Sequence, residues 1–88
     1  MTEATEATDA ATLEFTIEPF VPARPGRHVT ASIEAAESAA TSVEVGPFGT
    51  TASAPVGRIG VIAAAVIDAA MSNGASRVSL QVTIDGAQ

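Results

Sequence analysis

The sequence predicts an α+β domain: one four-stranded antiparallel sheet with two helices on one face, in the order strand, helix, strand, strand, helix, strand. Three observations predict it. Four short segments alternate apolar with polar residues, two longer segments between them repeat apolar residues at helical spacing, and Pro or Gly punctuates most of the junctions. A chain of 88 residues has room for one core.

The first strand starts at Leu13, where Leu13, Phe15 and Ile17 alternate with Glu14, Thr16 and Glu18. Pro19, Pro22, Pro25 and Gly26 then break the chain into a loop. Between Arg27 and Ala40 the residues Val29, Ile33, Ala36 and Ala40 form a helical stripe that Glu34, Glu37 and Ser38 avoid. Val43 and Val45 against Ser42 and Glu44 make a second strand that runs into Gly46-Pro47. A third, Thr-rich strand covers about Phe48 to Ser53 and ends before Pro55. The second helix spans about Val56 to Asn73, with Ile59, Ile62, Val66 and Ala70 on its stripe, Pro55 suited to its start and Asn73-Gly74 to its stop. Val78, Leu80, Val82 and Ile84 against Ser79, Gln81, Thr83 and Asp85 give the last strand.

Closed as a sheet, these strands make the ferredoxin-like βαββαβ sandwich. The face without helices then carries Glu14, Thr16, Glu18, Glu44, Ser79, Gln81, Thr83 and Asp85, polar and acidic and without aromatics. Residues 1–12, MTEATEATDAAT, hold three acids, no base and nothing apolar beyond Ala after the initiator; they read as a disordered tail before a single ligand-binding domain at 13–88. Of 41 apolar residues 19 are Ala, so the core is thin and self-association, as a dimer or tetramer, is expected to supplement it.

Composition closes off much chemistry. Without Cys there is no thiolate nucleophile or zinc finger, and a single His, His28, builds no multi-His metal site. Without Lys there is no Schiff base and no phosphate-loop lysine. Ten acids against four Arg give a net charge of −6, which repels nucleic acid, and the sheet lacks the aromatics on which bases would stack. No apolar run approaches the ~18 residues of a membrane span and no signal-peptide pattern opens the chain, so the expected location is cytoplasmic. His28 and Ser32, one helical turn apart, lack the elbow and third member of a triad. Arg24 and Arg27 occupy the loop position of a phosphate cradle, but the only Asn is Asn73 at a helix end, so an acylphosphatase-like hydrolase is poorly supplied. No catalytic residue, metal or cofactor is assigned.

The informative string is VEVGPFGT, Val43 to Thr50, where Gly46 and Gly49 bracket Pro47-Phe48 in a tight bend between two strands. A plain hairpin accounts for it locally. Glu44-Val45-Gly46-Pro47-Phe48-Gly49-Thr50, together with the alternating first strand, its Pro-bearing loop and the closing segment Gly74 to Asp85, resembles the thiamine-binding protein family over about Leu13 to Asp85. The chain departs from that family's pattern in having Ala40 where Gly commonly ends the first helix, and in its loop Val21-Pro22-Ala23-Arg24-Pro25-Gly26. The resemblance implies a small ferredoxin-like, non-enzymatic, oligomeric protein that binds thiamine or its hydroxymethylpyrimidine moiety.

Such a ligand carries a fixed thiazolium charge and an aminopyrimidine edge, which call for a carboxylate, hydroxyls or backbone groups, and an apolar wall. The candidate residues are Glu18, Phe20, Glu44, Gly46, Phe48, Gly49, Thr50 and Thr51, with Glu44 and Thr50 foremost. The alternative is an oligomeric regulatory domain of the amino-acid-sensing type, in which the GPFGT bend is structural and there is no thiamine site.

Overall fold

The computed structural model describes residues 9–21, 24–47 and 49–85. Six elements follow one another as β1 (Ala10–Glu18), α1 (Arg27–Glu37), β2 (Ser42–Val45), β3 (Thr50–Pro55), α2 (Val56–Ser72) and β4 (Arg77–Ile84). They form one sheet of order β2-β3-β1-β4, antiparallel at every contact, with both helices on one face. This is the ferredoxin-like arrangement that the alternation and helical stripes predict.

Register explains the layering. Leu13 lies opposite Ala52 on one side and Val82 on the other, while Ala52 also faces Val43, so one row of apolar side chains crosses the sheet beneath the helices. Phe15 lies between Thr50 and Leu80, and Ala11 between Ala54 and Ile84. Ile59, Ile62, Val66 and Ala70, the stripe read from the sequence, are the buried residues of α2. On α1 the buried positions are Val29, Ala31, Ser32 and Ala36, with Ile33 partly covered.

Three boundaries differ from the sequence reading, each for a physical reason. β1 begins at Ala10, inside the segment expected to be tail: Ala11 continues the core side of Leu13, Phe15 and Ile17 and is fully buried, but a lone Ala gives no hydrophobic signal. The first strand therefore starts earlier than Leu13; residues 1–8 lie outside the described residues. β3 runs over Thr50–Pro55, because Ala52 and Ala54 line the core in alternation and Pro55, at its end, need donate no ladder hydrogen bond. α1 stops at Glu37; the Ala40 N–H still donates to the Ala36 carbonyl at 2.8 Å, and the next N–H, of Thr41, bonds Ser53 O at 2.7 Å, turning the chain onto the sheet. Among the described residues no helix is long and apolar enough to cross a membrane.

Candidate functional site

The end of β1, the loop after it, the first half of α1 and the β2–β3 hairpin surround a cavity of about 380 Å³ on the helix side of the sheet. Its wall is apolar: Phe15 and Ile17 from β1, Phe20 and Pro25 from the loop, Val29 and Ile33 from α1, and Val45 and Pro47 from the hairpin. Thr16, Glu18 and Thr50 are the polar residues of the lining, with Gly46 and Gly49 beside them. Phe20 is 47% exposed and Val45 62% exposed, so two large apolar side chains are left partly bare at the cavity itself. Apolar surface gathered about a concavity is the usual mark of a ligand site.

Each wall has a local cause. The Gly46 N–H donates to the Gly49 carbonyl at 2.8 Å, which closes the turn between β2 and β3. Phe48 lies outside the described residues. A Cβ on Gly49 would stand 3.1 Å from the Phe15 carbonyl oxygen and 3.1 Å from Thr16 Cγ2, so a side chain there would push the hairpin and β1 apart by a few tenths of an ångström. On the other side, His28 Nε2 donates to the Pro19 carbonyl, tying the loop after β1 to the first turn of α1. Gly26 makes room for that imidazole, since a Cβ there would meet His28 Cε1 at 2.6 Å.

The predicted residues divide between the two faces of the sheet. Glu18, Phe20, Gly46, Gly49 and Thr50 line the cavity. Thr50 is almost fully buried, opposite Phe15 and Val45. Glu44 and Thr51 do not line it: they are register partners, and Thr51 also faces Glu14, whose other neighbour is Gln81. That row lies on the helix-free face, where a wider, shallower hollow of about 510 Å³ is lined by Glu14, Thr16, Thr51, Ser79 and Gln81 among others. Glu18 and Glu44 do share the outer face, as expected, but Glu18 stands at the end of β1 and reaches the cavity rim. Its carboxylate is 3.9 Å from Arg77 Nε in a solvent-exposed pair, a weak hold that leaves it open to another cation.

Sequence reading did not single out Val29, Ile33 and Val45, which line the cavity, because each also fits its helix stripe or strand alternation as ordinary core. The bare apolar surface of Val45 is visible only in three dimensions.

Four of the groups weighed for catalysis, His28, Ser32, Arg27 and Asn73, have partners of their own. Ser32 is fully buried and its hydroxyl donates to the His28 carbonyl at 2.6 Å, not to the imidazole, which is occupied by Pro19. Arg27 pairs with Glu34 at 3.2 Å along the exposed surface of α1. Asn73 Nδ2 donates to Ala69 O at 2.8 Å, capping its own helix. Among the described residues no group of three or more His, Asp or Glu gathers as metal ligands.

Comparison with known proteins adds to this geometry. A solved domain of unknown function from Bacillus cereus superposes with a TM-score of 0.65 at 21% identity, covering 89% of this chain and 77% of that one. A Streptococcus pneumoniae protein superposes with a TM-score of 0.66 at 18% identity over 90% of this chain and 88% of that one. These two speak for the fold. A Thermotoga maritima protein, described as a candidate thiamine biosynthesis/salvage protein, superposes with a TM-score of 0.63 at 26% identity over 86% of this chain and 82% of that one. No curated protein matches the sequence. The sequence profile of the thiamine-binding proteins, in contrast, matches residues 13–87, the strands, helices and hairpin that build the cavity included. On that match the chain belongs to the thiamine-binding protein family.

Proposed function

We propose that the chain is a non-enzymatic binding protein that takes up thiamine, or its hydroxymethylpyrimidine moiety, reversibly in the cavity beneath the GPFGT hairpin. The observation that carries this reading is the lining of the cavity: apolar side chains from β1, α1 and the hairpin, together with Glu18 and Thr50. A volume of about 380 Å³ lies within the range of small-molecule sites. Phe15, Phe20, Val29 and Ile33 offer contact to a flat ring, and an aromatic face also attracts a fixed positive charge. Glu18 supplies the countercharge for the thiazolium. The Thr50 hydroxyl and the backbone of Gly46 and Gly49 supply donors and acceptors for the aminopyrimidine edge. Nothing in this arrangement activates a nucleophile, so the mechanism is sequestration or sensing by a preformed pocket, with no bond made.

A thermal-shift panel of thiamine, its phosphates, hydroxymethylpyrimidine and free amino acids tests it, because a ligand that binds only the native state raises the midpoint. The expected result is a concentration-dependent rise with thiamine or its pyrimidine. A rise with amino acids alone would instead favour a regulatory domain, and a flat response to every thiamine-related compound would remove the reading.

A further inference from the structure

Among the described residues that line the cavity, Glu18 at the end of β1 carries the single charge; the others are apolar, hydroxyl-bearing or glycine. Glu18 is the register partner of Arg77, the first residue of β4. Both side chains therefore leave the sheet on the same face, and Arg77 Nε stands 3.9 Å from Glu18 Oε1. The main chain at this point is held firmly. Ser76 donates to the Glu18 carbonyl twice, from its N–H at 2.7 Å and from its hydroxyl at 3.1 Å. The charged groups themselves are held weakly: the Arg77 side chain is 70% exposed and that of Glu18 48%, and 3.9 Å is the outer limit of an ion pair. The carboxylate is thus free to turn between β4 and the cavity without movement of the strand that carries it.

We propose that Arg77 is a specificity-determining residue that acts through Glu18: it holds the carboxylate while the cavity is empty and yields it to a cationic ligand. The proposal rests on the reading of the cavity as a thiamine site. Uptake of a cation is then an exchange of ion pairs, in which the Arg77–Glu18 contact is given up as the ligand–Glu18 contact forms. The gain from the new pair is offset by the loss of the old one. Arg77, a like charge beside the incoming thiazolium, opposes uptake further. A ligand without a fixed charge, such as hydroxymethylpyrimidine, leaves the Arg77–Glu18 pair in place and meets neither cost. Arg77 thus moderates the preference for charged over uncharged ligands that Glu18 alone would impose. It does so from outside the cavity, which it does not line.

Titration calorimetry with thiamine and with hydroxymethylpyrimidine tests it. Arg77→Gln should raise thiamine affinity about two- to fivefold, the scale of one exposed ion pair, and leave the affinity for the pyrimidine near that of the native chain. Arg77→Thr, a second neutral replacement that suits a strand, should do the same. Arg77→Lys keeps the charge and should stay close to native for both ligands. In the Glu18→Gln background the gain from Arg77→Gln should shrink, because the carboxylate through which Arg77 acts is gone. Thiamine binding by Arg77→Gln should also weaken more steeply with added salt than native binding does, since a pair is formed and none is given up. A purely structural role would shift both ligands together and leave the salt slope unchanged. If thiamine binds the native chain but binds neither neutral variant more tightly, or gains as much from Arg77→Gln in the Glu18→Gln background, the proposal is overturned and the reading of the cavity stands. If neither ligand binds the native chain, both are lost. Urea melts establish that each variant is folded at the titration temperature.

Discussion

Glu44 and Thr50 bracket the hairpin, yet their side chains leave the sheet on opposite faces: Glu44 is opposite Thr51 on the helix-free side, and Thr50 is opposite Val45 over the cavity. Because strand side chains alternate, one residue of register decides which threonine faces the cavity and which the helix-free side.

The first prediction follows from that split. By titration calorimetry with thiamine, Thr50→Val should weaken binding about fivefold, the worth of one neutral hydrogen bond. Glu18→Gln, at an exposed rim, should cost roughly two- to fivefold. Glu44→Ala and Thr51→Ala should bind as the native chain does. A large loss in Glu44→Ala with none in Thr50→Val would move the site to the open face.

Gly49 is the second target. Its absent side chain leaves the Phe15 carbonyl 3.1 Å from where a Cβ would stand, and a backbone atom cannot rotate away as Thr16 Cγ2 can. Gly49→Ala should destabilise the fold by about 1–3 kcal/mol in urea and lower ligand affinity, because it pries the hairpin from β1. Gly57→Ala, where nothing lies within 4 Å of the new methyl, should hold or raise the midpoint instead.

Third, the loop after β1 depends on His28. His28→Ala removes the donor to the Pro19 carbonyl, and Gly26→Ala displaces the same imidazole. Both should speed amide hydrogen exchange at Phe20, Val21, Arg24 and Gly26 while leaving exchange in α2 unchanged. If neither variant alters exchange in that loop, the hydrogen bond does not hold it.

The core supplies the fourth. Ile62 is fully buried, and Ile62→Ala should cost about 2–5 kcal/mol. Val61, its neighbour, is 71% exposed, and Val61→Ala should change stability by no more than about 0.5 kcal/mol. Denaturant melts of the pair test whether α2 faces the sheet as described.

Much of the fold was legible because periodicity is a property of single segments. The stripe Ile59, Ile62, Val66, Ala70 and the alternation of Leu13, Phe15 and Ile17 identify buried faces without knowledge of any partner. Legibility failed where Ala carries the core side of a strand, as at Ala11, Ala52 and Ala54, since Ala is equally at home in a tail or a helix. The site was legible only as a neighbourhood. The hairpin string and Glu18 could be found one by one, but which of Thr50 and Thr51 faces inward is set by pairing with β1. The contribution of Val29 and Ile33 needs three separate segments brought together.

The alanines of the sheet also govern which changes this protein tolerates. Ala52 has no exposed surface and sits between Leu13 and Val43 in the row beneath the helices. At Ile62 harm comes from trimming the side chain; at these alanines it comes from enlarging it. A single added methylene at Ala11, Ala52 or Ala54 has nowhere to go but up, lifting a helix off the sheet. Because Val29 and Ile33 ride on α1, such a shift reaches the cavity they line. The smallest side chains in the sheet thus set the height of the pocket's roof.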